Sequence, residues 1–306
     1  MRTLQPLDLE YFLEICRCGS LAQAANQLGI TQPALSKSLR RLEQSAGAQL
    51  LDRTPRGIVP TQMGEYLMER ASIILSELET TRNTLREMSG VQSGLVSVGV
   101  APTLTHRFIP HLTQIALRQR PGLRFRIGEG LFQNLLPQLQ LGEFDFIISS
   151  PPASPALGAD FACTPLGQNL FVACVGAQHP LAARGDIPDD ALDEYPWVLV
   201  SPRGVLRSVL NTLFSERGRQ APASTIETSS TALTKALLRQ QDFIAFLPLE
   251  VFAAEEQAGS IVRLPLPWLA WHRKLSIISR EFRSLSPAAQ FFMDLVREQA
   301  SHQTIR

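Results

Sequence analysis

GSLAQAANQLGITQPALSKSLRRLEQSAGAQLLDRTPRGIVP, residues 19–60, decides how the N-terminal part of this chain folds. Ser20 stands three residues before Gln23, as in a capping box, and opens the short run LAQAANQL, which Gly29 stops. Thr31 caps a second helix, QPALSKSLRRLEQSAG, with Pro33 in its first turn, where the backbone amides are unpaired in any case. Leu35, Leu39 and Leu42 share one side of that helix, while Gln32, Ser36, Lys37 and Arg40 share the other. Two helices joined by Leu28-Gly29-Ile30 make a helix-turn-helix. Arg53-Thr54-Pro55-Arg56-Gly57 then turns between Leu50-Leu51 and Ile58-Val59, which reads as a small β-wing with two arginines. Upstream, Leu9, Phe12, Leu13 and Cys16 recur at helical spacing, predicting a helix over about Asp8 to Cys18 that ends at Gly19.

The polar side of the second helix has the chemistry of base readout. Gln pairs bidentately with adenine, Ser reaches either base type, and Lys or Arg meets guanine or phosphate. Candidate DNA contacts are therefore Thr31, Gln32, Pro33, Ala34, Ser36, Lys37 and Arg40, with Arg53 and Arg56 of the wing set against phosphate or the minor groove. Taken alone, Lys37, Arg40 and Arg41 are the solvated face of an amphipathic helix. The ordered set of capped helix, glycine turn, proline-bearing helix and basic wing within forty residues favours DNA. Residues 31–60 hold five cations against two carboxylates, although the whole chain is nearly neutral, with 29 Lys+Arg and 28 Asp+Glu in 306 residues.

This stretch resembles the N-terminal domain of the LysR-type transcriptional regulators. The resemblance lies in the Gly19-Ser20-Leu21 step into Ala24-Ala25, the block Thr31-Gln32-Pro33-Ala34-Leu35-Ser36, Leu39 with Leu42-Glu43, Leu50-Leu51 with Arg53, and Thr61 with Gly64. It extends over essentially the whole chain. It implies double-stranded promoter DNA as a partner, RNA polymerase as a further candidate partner, a linker helix that dimerises, and a small organic effector held by a periplasmic-binding-protein-like domain of two subdomains. The expected class is α/β with an N-terminal all-α winged helix-turn-helix. The expected division is a DNA-binding domain at 1–60, a linker helix at 61–92 and an effector domain at 93–306. Within the last, subdomain I takes about 93–160 and 268–306 and subdomain II about 161–267.

The residues support that division. Segment 61–92 has no proline and runs from Thr61 to about Ser89, with Leu67, Ala71, Ile74, Leu78, Leu85 and Met88 in heptad steps once Thr81 fills the polar slot. A helix of nearly thirty residues is about 40 Å long, so a second copy is its natural cover and the assembly is a homodimer or homotetramer. From Leu95 on, LVSVGV, LRFRI, FDFIIS, LFVACV, WVLVS, FIAFLP and KLSIIS alternate with helical stretches, which predicts parallel α/β sheets.

Ligands in such folds sit beyond the carboxyl ends of strands. Pro102, Thr103, Gly130, Phe132, Asn134, Ser201, Pro202, Arg203, Ser229, Thr231 and Phe246 are the effector candidates, with Arg203 the partner of an organic anion; Phe132 and Phe246 are either plain core or an apolar wall suited to an aromatic ligand, and hydroxyls such as Thr103 and Ser201 are either ordinary helix caps or ligand contacts. Where many family members have a Gly-x-Gly step before the strand FIAFLP, this chain has Gln240-Gln241-Asp242-Phe243.

Composition bounds the alternatives. No charge-free apolar run is long enough for a membrane span, and the start lacks a secretory pattern, so a cytoplasmic protein with no membrane partner is expected. The five histidines are scattered, with no nucleophile elbow, zinc motif or phosphate-cradling loop, so neither an enzyme nor a cofactor or metal is expected. Two other readings are a redox-responsive regulator using Cys163 and Cys174, whose bland account is two small core residues, and a small-molecule binding protein without DNA function. The latter leaves the arginine wing unexplained.

Overall fold

The computed structural model describes residues 3–55, 57–88, 94–151, 158, 160–199, 205–240, 242–281 and 284–302. Helices α1 (Pro6–Cys18), α2 (Leu21–Leu28) and α3 (Gln32–Ala46) are followed by a hairpin of β1 (Leu51–Thr54) and β2 (Gly57–Pro60) and by the long α4 (Gln62–Met88). The predicted caps form: Ser20 Oγ accepts from the Gln23 amide and Thr31 Oγ1 from the Ala34 amide. Leu9, Phe12 and Ile15 of α1, Ala24 and Ala25 of α2, and Leu35 and Leu42 of α3 close into one core. The wing is pinned to this core. The Ile58 amide donates to the Gly19 carbonyl at 2.8 Å, and a Cβ on Gly57, whose φ is 123°, would stand 2.8 Å from the same oxygen.

The first turns of α4 complete the core instead of waiting for a partner. Leu67 is 9% exposed and Ala71 0%, packed against α1, so neither belongs to a free seam. The physical reason is that α1 already covers this end of the helix. Farther along, Ile74, Leu78 and Leu85 are 42, 45 and 62% exposed, and the apolar stripe does lack a cover there. The Met88 side chain lies outside the described residues.

Beyond α4 the chain forms β3 (Leu95–Val100), α5 (Phe108–Gln119), β4 (Arg124–Glu129), α6 (Phe132–Leu141) and β5 (Phe146–Ser149), then crosses on β6 (Phe161–Gly176). A second set follows: β7 (Trp197–Leu199), α7 (Val205–Ser215), β8 (Ser224–Glu227), α8 (Thr231–Gln240), β9 (Ile244–Pro248), α9 (Leu249–Gln257) and β10 (Ile261–Arg263). β11 (Ala270–Arg280) returns to the first set, and α10 (Pro287–His302) packs there. The strands form one nine-stranded sheet, not two separate parallel ones. β3 pairs in parallel with β4 and β5, and β7 with β8 and β9, but β6 and β11 run antiparallel through the middle from Phe161↔Arg280 to Val172↔Ala270. These two strands carry one lobe's core, around Val98, Phe146, Ile277 and Phe292, into the other's, around Trp197, Phe214, Phe246 and Leu269. Short β8 and β10 are absent from the predicted strands because neither has an apolar run.

Linker and first lobe touch in cis. Ser76 Oγ of α4 donates to the Gly142 carbonyl at 2.8 Å, and a Cβ on Gly142 would fall 2.6 Å from that hydroxyl. Arg280 reaches Glu77 at 3.9 Å and the Gln140 carbonyl at 3.4 Å.

Candidate nucleic-acid interface and effector cleft

The outer face of α3 is built from its own periodicity. Burying Leu35, Ser38 and Leu42 turns Gln32, Pro33, Ala34, Lys37 and Arg40 to solvent, with Thr31 exposed at the cap and Ser36 half-buried. The cationic residues of the helix part company. Arg41 forks onto Asp8 of α1, with Nε to Oδ2 at 2.7 Å, and Ser38 Oγ donates to the same carboxylate. Burial pushes the Asp8 carboxyl up, and the Arg41 and Ser38 bonds more than reverse it, so it is held below its usual range. Arg41 therefore braces α1 against α3. Lys37, Arg40 and Arg53 have no carboxylate partner among the described residues. A groove of about 880 Å³ between α3 and the wing brings Ser36, Arg40 and Arg53 together. Arg56 lies outside the described residues.

Several of the effector candidates lie at strand ends near the junction of the two lobes. Pro102 and Thr103 form a single helical turn directly after β3. Gly130 follows the adjacent parallel β4, its amide donating to the Val100 carbonyl at 3.1 Å. Asn134 is exposed in the first turn of α6. From the second lobe, Ser230 Oγ caps α8 by accepting from the Leu233 amide at 3.2 Å, which puts exposed Ser229 and half-buried Thr231 at that helix start. The lobes meet here: His106 Nε2 and Thr231 Oγ1 share a hydrogen bond of 2.7 Å. The His106 side chain stays largely exposed, yet desolvation first, and Lys235 second, lower its pKa against the pull of Glu129 and Glu255. Lys235 is itself tied down, to Glu255 at 2.8 Å and to the Val251 carbonyl at 3.3 Å beside a kink at Phe252.

The two aromatic candidates pack into apolar clusters. Phe246 is 1% exposed and packs 5.7 Å from the Phe171 ring in the second lobe's core, because the alternation of β9 turns it inward. Phe132 packs on the Leu135, Leu139 and Phe144 cluster beneath α6. Ser201, Pro202 and Arg203 lie outside the described residues. The cysteine pair also fails on geometry. Cys163 is exposed, not a core residue, Cys174 is buried, and they stand eleven residues apart on β6. At about 3.3 Å per residue that separation far exceeds the reach of a disulfide.

Several polar groups of the cleft go beyond what the sequence predicts. Ser149 and Ser150, at the carboxyl end of β5, have buried hydroxyls without a hydrogen-bond partner among the described residues. Asn169 on β6 is 2% exposed; its Nδ2 donates to Thr103 Oγ1 at 3.4 Å while its Oδ1 has no partner among those residues. Directly opposite on β11 is Arg273. The strand-end rule applied to FDFIIS points at the serines. Asn169 and Arg273 lie inside strands, and only the pairing of β6 with β11 brings them together. Among the described residues no helix is long and apolar enough to cross a membrane, and no group of His, Cys, Asp and Glu could hold a metal.

The chain matches two family models: the bacterial regulatory helix-turn-helix protein of the lysR family over residues 7–65, and the LysR substrate binding domain over 89–301. It is 31% identical over 258 residues to the transcriptional regulator PcaQ of Agrobacterium fabrum, covering 84% of this chain and 83% of that one. It is 28% identical over 300 residues to the transcriptional regulator GalR of Pseudomonas putida, covering 98% and 75%. Full-length CbnR crystallised with its target DNA superposes with a TM-score of 0.69 at 22% identity, covering 96% of this chain and 99% of that one.

Proposed function

The chain belongs to the LysR family of DNA-binding transcriptional regulators with an effector-binding domain, and from that premise we propose which of its residues do the work. Gln32, Ser36, Lys37 and Arg40 of α3 read base edges, helped by Thr31, Pro33 and Ala34 at the helix start, while Arg53 and Arg56 hold phosphate. Two copies pair along the exposed stretch of α4 from Ile74 to Leu85. A small organic anion enters the cleft beside Pro102, Thr103, Gly130, Asn134, Ser201 to Arg203, Ser229 and Thr231. It works by binding and not by catalysis.

The observation that carries this reading is the direct hydrogen bond between lobes, His106 to Thr231, in a cleft that also holds orphaned buried hydroxyls. Whatever occupies the cleft must replace or reinforce that bond, so the relative position of the lobes depends on the occupant. Because α4 is fastened both to the DNA-binding core and, through Ser76, to the first lobe, the lobes and the reading heads are mechanically joined. An effector then changes DNA binding by favouring one arrangement of the oligomer, with about 1–3 kcal/mol as the usual coupling.

The test is a footprint on the promoter region next to the chain's own gene, with and without small-molecule extracts. The expected result is a protected site whose length or internal cleavage pattern changes with extract, and a Thr231→Ala variant that keeps the site and loses the change. A footprint in Thr231→Ala that still changes with extract removes the cleft from the mechanism.

A further inference from the structure

Resting on the cleft reading above, we propose that Arg273 is the anion-binding group of the cleft and that the effector is a small monocarboxylate with an apolar body. Arg273 lies in the middle of β11, one of the two strands that run from lobe to lobe, opposite Asn169. Cross-strand partners in an antiparallel pair project on the same side of the sheet. Asn169 reaches Thr103 at the mouth of β3 from that side. The guanidinium is thus on the cleft side of the hinge, between the two lobes' cores.

Arg273 is half-buried and has no ion pair or hydrogen bond among the described residues. Desolvation alone acts on it, lowering its pKa, with no carboxylate near enough to oppose that effect. A desolvated cation without a counter-charge is a standing cost, so such a residue is held in place for something absent from the chain itself. The surrounding groups say what. Asn169 Oδ1 and the Ser149 and Ser150 hydroxyls are buried without partners among the described residues, so the site has neutral polar atoms to spare. Among the described residues, Lys235 is already paired with Glu255. Arg273 brings one free positive charge, which calls for a negative one, and its planar guanidinium matches a carboxylate bidentately. On the same side of the sheet, two residues away along each strand, Phe171 and Trp271 lie with tilted rings 5.3 Å apart; Phe171 belongs to the second lobe's core, and half-buried Trp271 offers the apolar surface.

The experiment is thermal unfolding of the full-length protein, with benzoate and succinate as probes against their uncharged amides, benzamide and succinamide. Arg273→Met is expected to raise the melting temperature of the unliganded protein, because it keeps the volume and removes the unpaired charge. Benzoate is expected to raise the melting temperature of the wild type by a few degrees, succinate less and the amides not at all. Arg273→Met should weaken the benzoate response at least about tenfold in concentration, and Arg273→Lys should restore part of it.

A lower melting temperature for unliganded Arg273→Met makes the arginine structural and overturns the proposal. Amides acting as well as acids on the wild type, or no response to either, overturn the carboxylate assignment. An intact benzoate response in Arg273→Met also overturns it, and Asn169→Ala then decides how far. If Asn169→Ala loses the response, the cleft stands and only Arg273 falls. If it keeps the response, the cleft falls as well.

Discussion

Arg40 and Arg53 on one side of the molecule and Arg273 on the other are all arginines without a carboxylate partner among the described residues, yet they stand in opposite environments. On α3 and the wing the charges are in water, where leaving them unpaired costs little. In the hinge the charge is half-buried and partly desolvated, where leaving it unpaired costs more. The first arrangement suits a long polyanion met by many weak, salt-screened contacts; the second suits one small anion met by few strong ones. The same side chain thus serves two kinds of recognition, and burial decides which.

The largest effect should come from the surface where apolar groups, not charges, are left uncovered. Replacing Ile74 and Leu78 together by Asp sets two charges per protomer into the proposed α4 pairing, at a cost of several kcal/mol for each one desolvated. Light scattering should show a smaller assembly and mobility shifts a loss of DNA binding. Leu67 and Ala71, sealed against α1, make the contrast sharp. Leu67→Ala should lower the melting temperature by creating a cavity, at about 2–4 kcal/mol, without changing the size of the native assembly. Equal assembly states for wild type and Ile74→Asp/Leu78→Asp would leave the exposed half of α4 as mere surface.

Next in size is the arginine pair of the wing. Arg53→Ala with Arg56→Ala should weaken binding to any DNA sequence by about 10–100-fold at physiological salt. The slope of log affinity against log salt should fall by about 2 per protomer, near 0.9 for each phosphate that no longer meets a cation. Gln32→Ala should cost about 1–3 kcal/mol only on fragments carrying its preferred base. A uniform loss for Gln32 and a sequence-dependent one for the arginines would reverse their roles.

How much of this could be read from the sequence also follows the line between outside and inside. Caps at Ser20 and Thr31, the glycine turn, the wing and the exposed face of α3 depend on neighbours a few residues away, and they stand where periodicity placed them. Cleft residues at strand ends, such as Thr103 and Thr231, are reachable through the rule that ligands gather there. Phe246 is misplaced by that rule because an aromatic at a strand end cannot be told from a core residue until the sheet's faces are known. Arg273 and Asn169 are invisible to it because their meeting depends on the register of strands a hundred residues apart in the chain. Leu67 and Ala71 fit a heptad well, and only the path of α1 shows that the first turns of α4 are already covered.

Asp8 is an inward charge of the opposite kind, buried but paired with Arg41 and Ser38. Asp8→Ala should destabilise the DNA-binding core by about 2 kcal/mol, since it strands both partners. Its carboxyl pKa is depressed in the folded state, so its contribution is complete above the unfolded value near 3.9 and is lost as pH falls through the folded one. The difference in melting temperature between wild type and Asp8→Ala should therefore be steady from pH 8 to about pH 5 and shrink in stronger acid. A difference that grows in acid would mean that the pair does not hold the carboxylate charged.

The smallest effect tests an inward charge of negative sign and no partner. Glu250, in the first turn of α9, has both carboxylate oxygens buried without a hydrogen-bond partner among the described residues. Desolvation raises its pKa above the ordinary 4.5, and the nearness of its own backbone amide, too poorly placed for a hydrogen bond, only partly offsets that. A raised carboxyl reverses the sign found for Asp8. The folded protein holds the proton more tightly than the unfolded chain, so stability is undiminished below about pH 4.5 and is lost as pH rises through the folded value. Glu250→Gln removes the titration while keeping the shape. Its melting temperature should match wild type near pH 4 and exceed it by about one to three degrees at pH 8. The gain is modest because the Gln amide has no partner there either, so only the pH-dependent part of the penalty disappears. A difference between the two proteins that is flat across this range would show that Glu250 finds a partner in solution, and would remove it as an unpaired inward counterpart of Arg273.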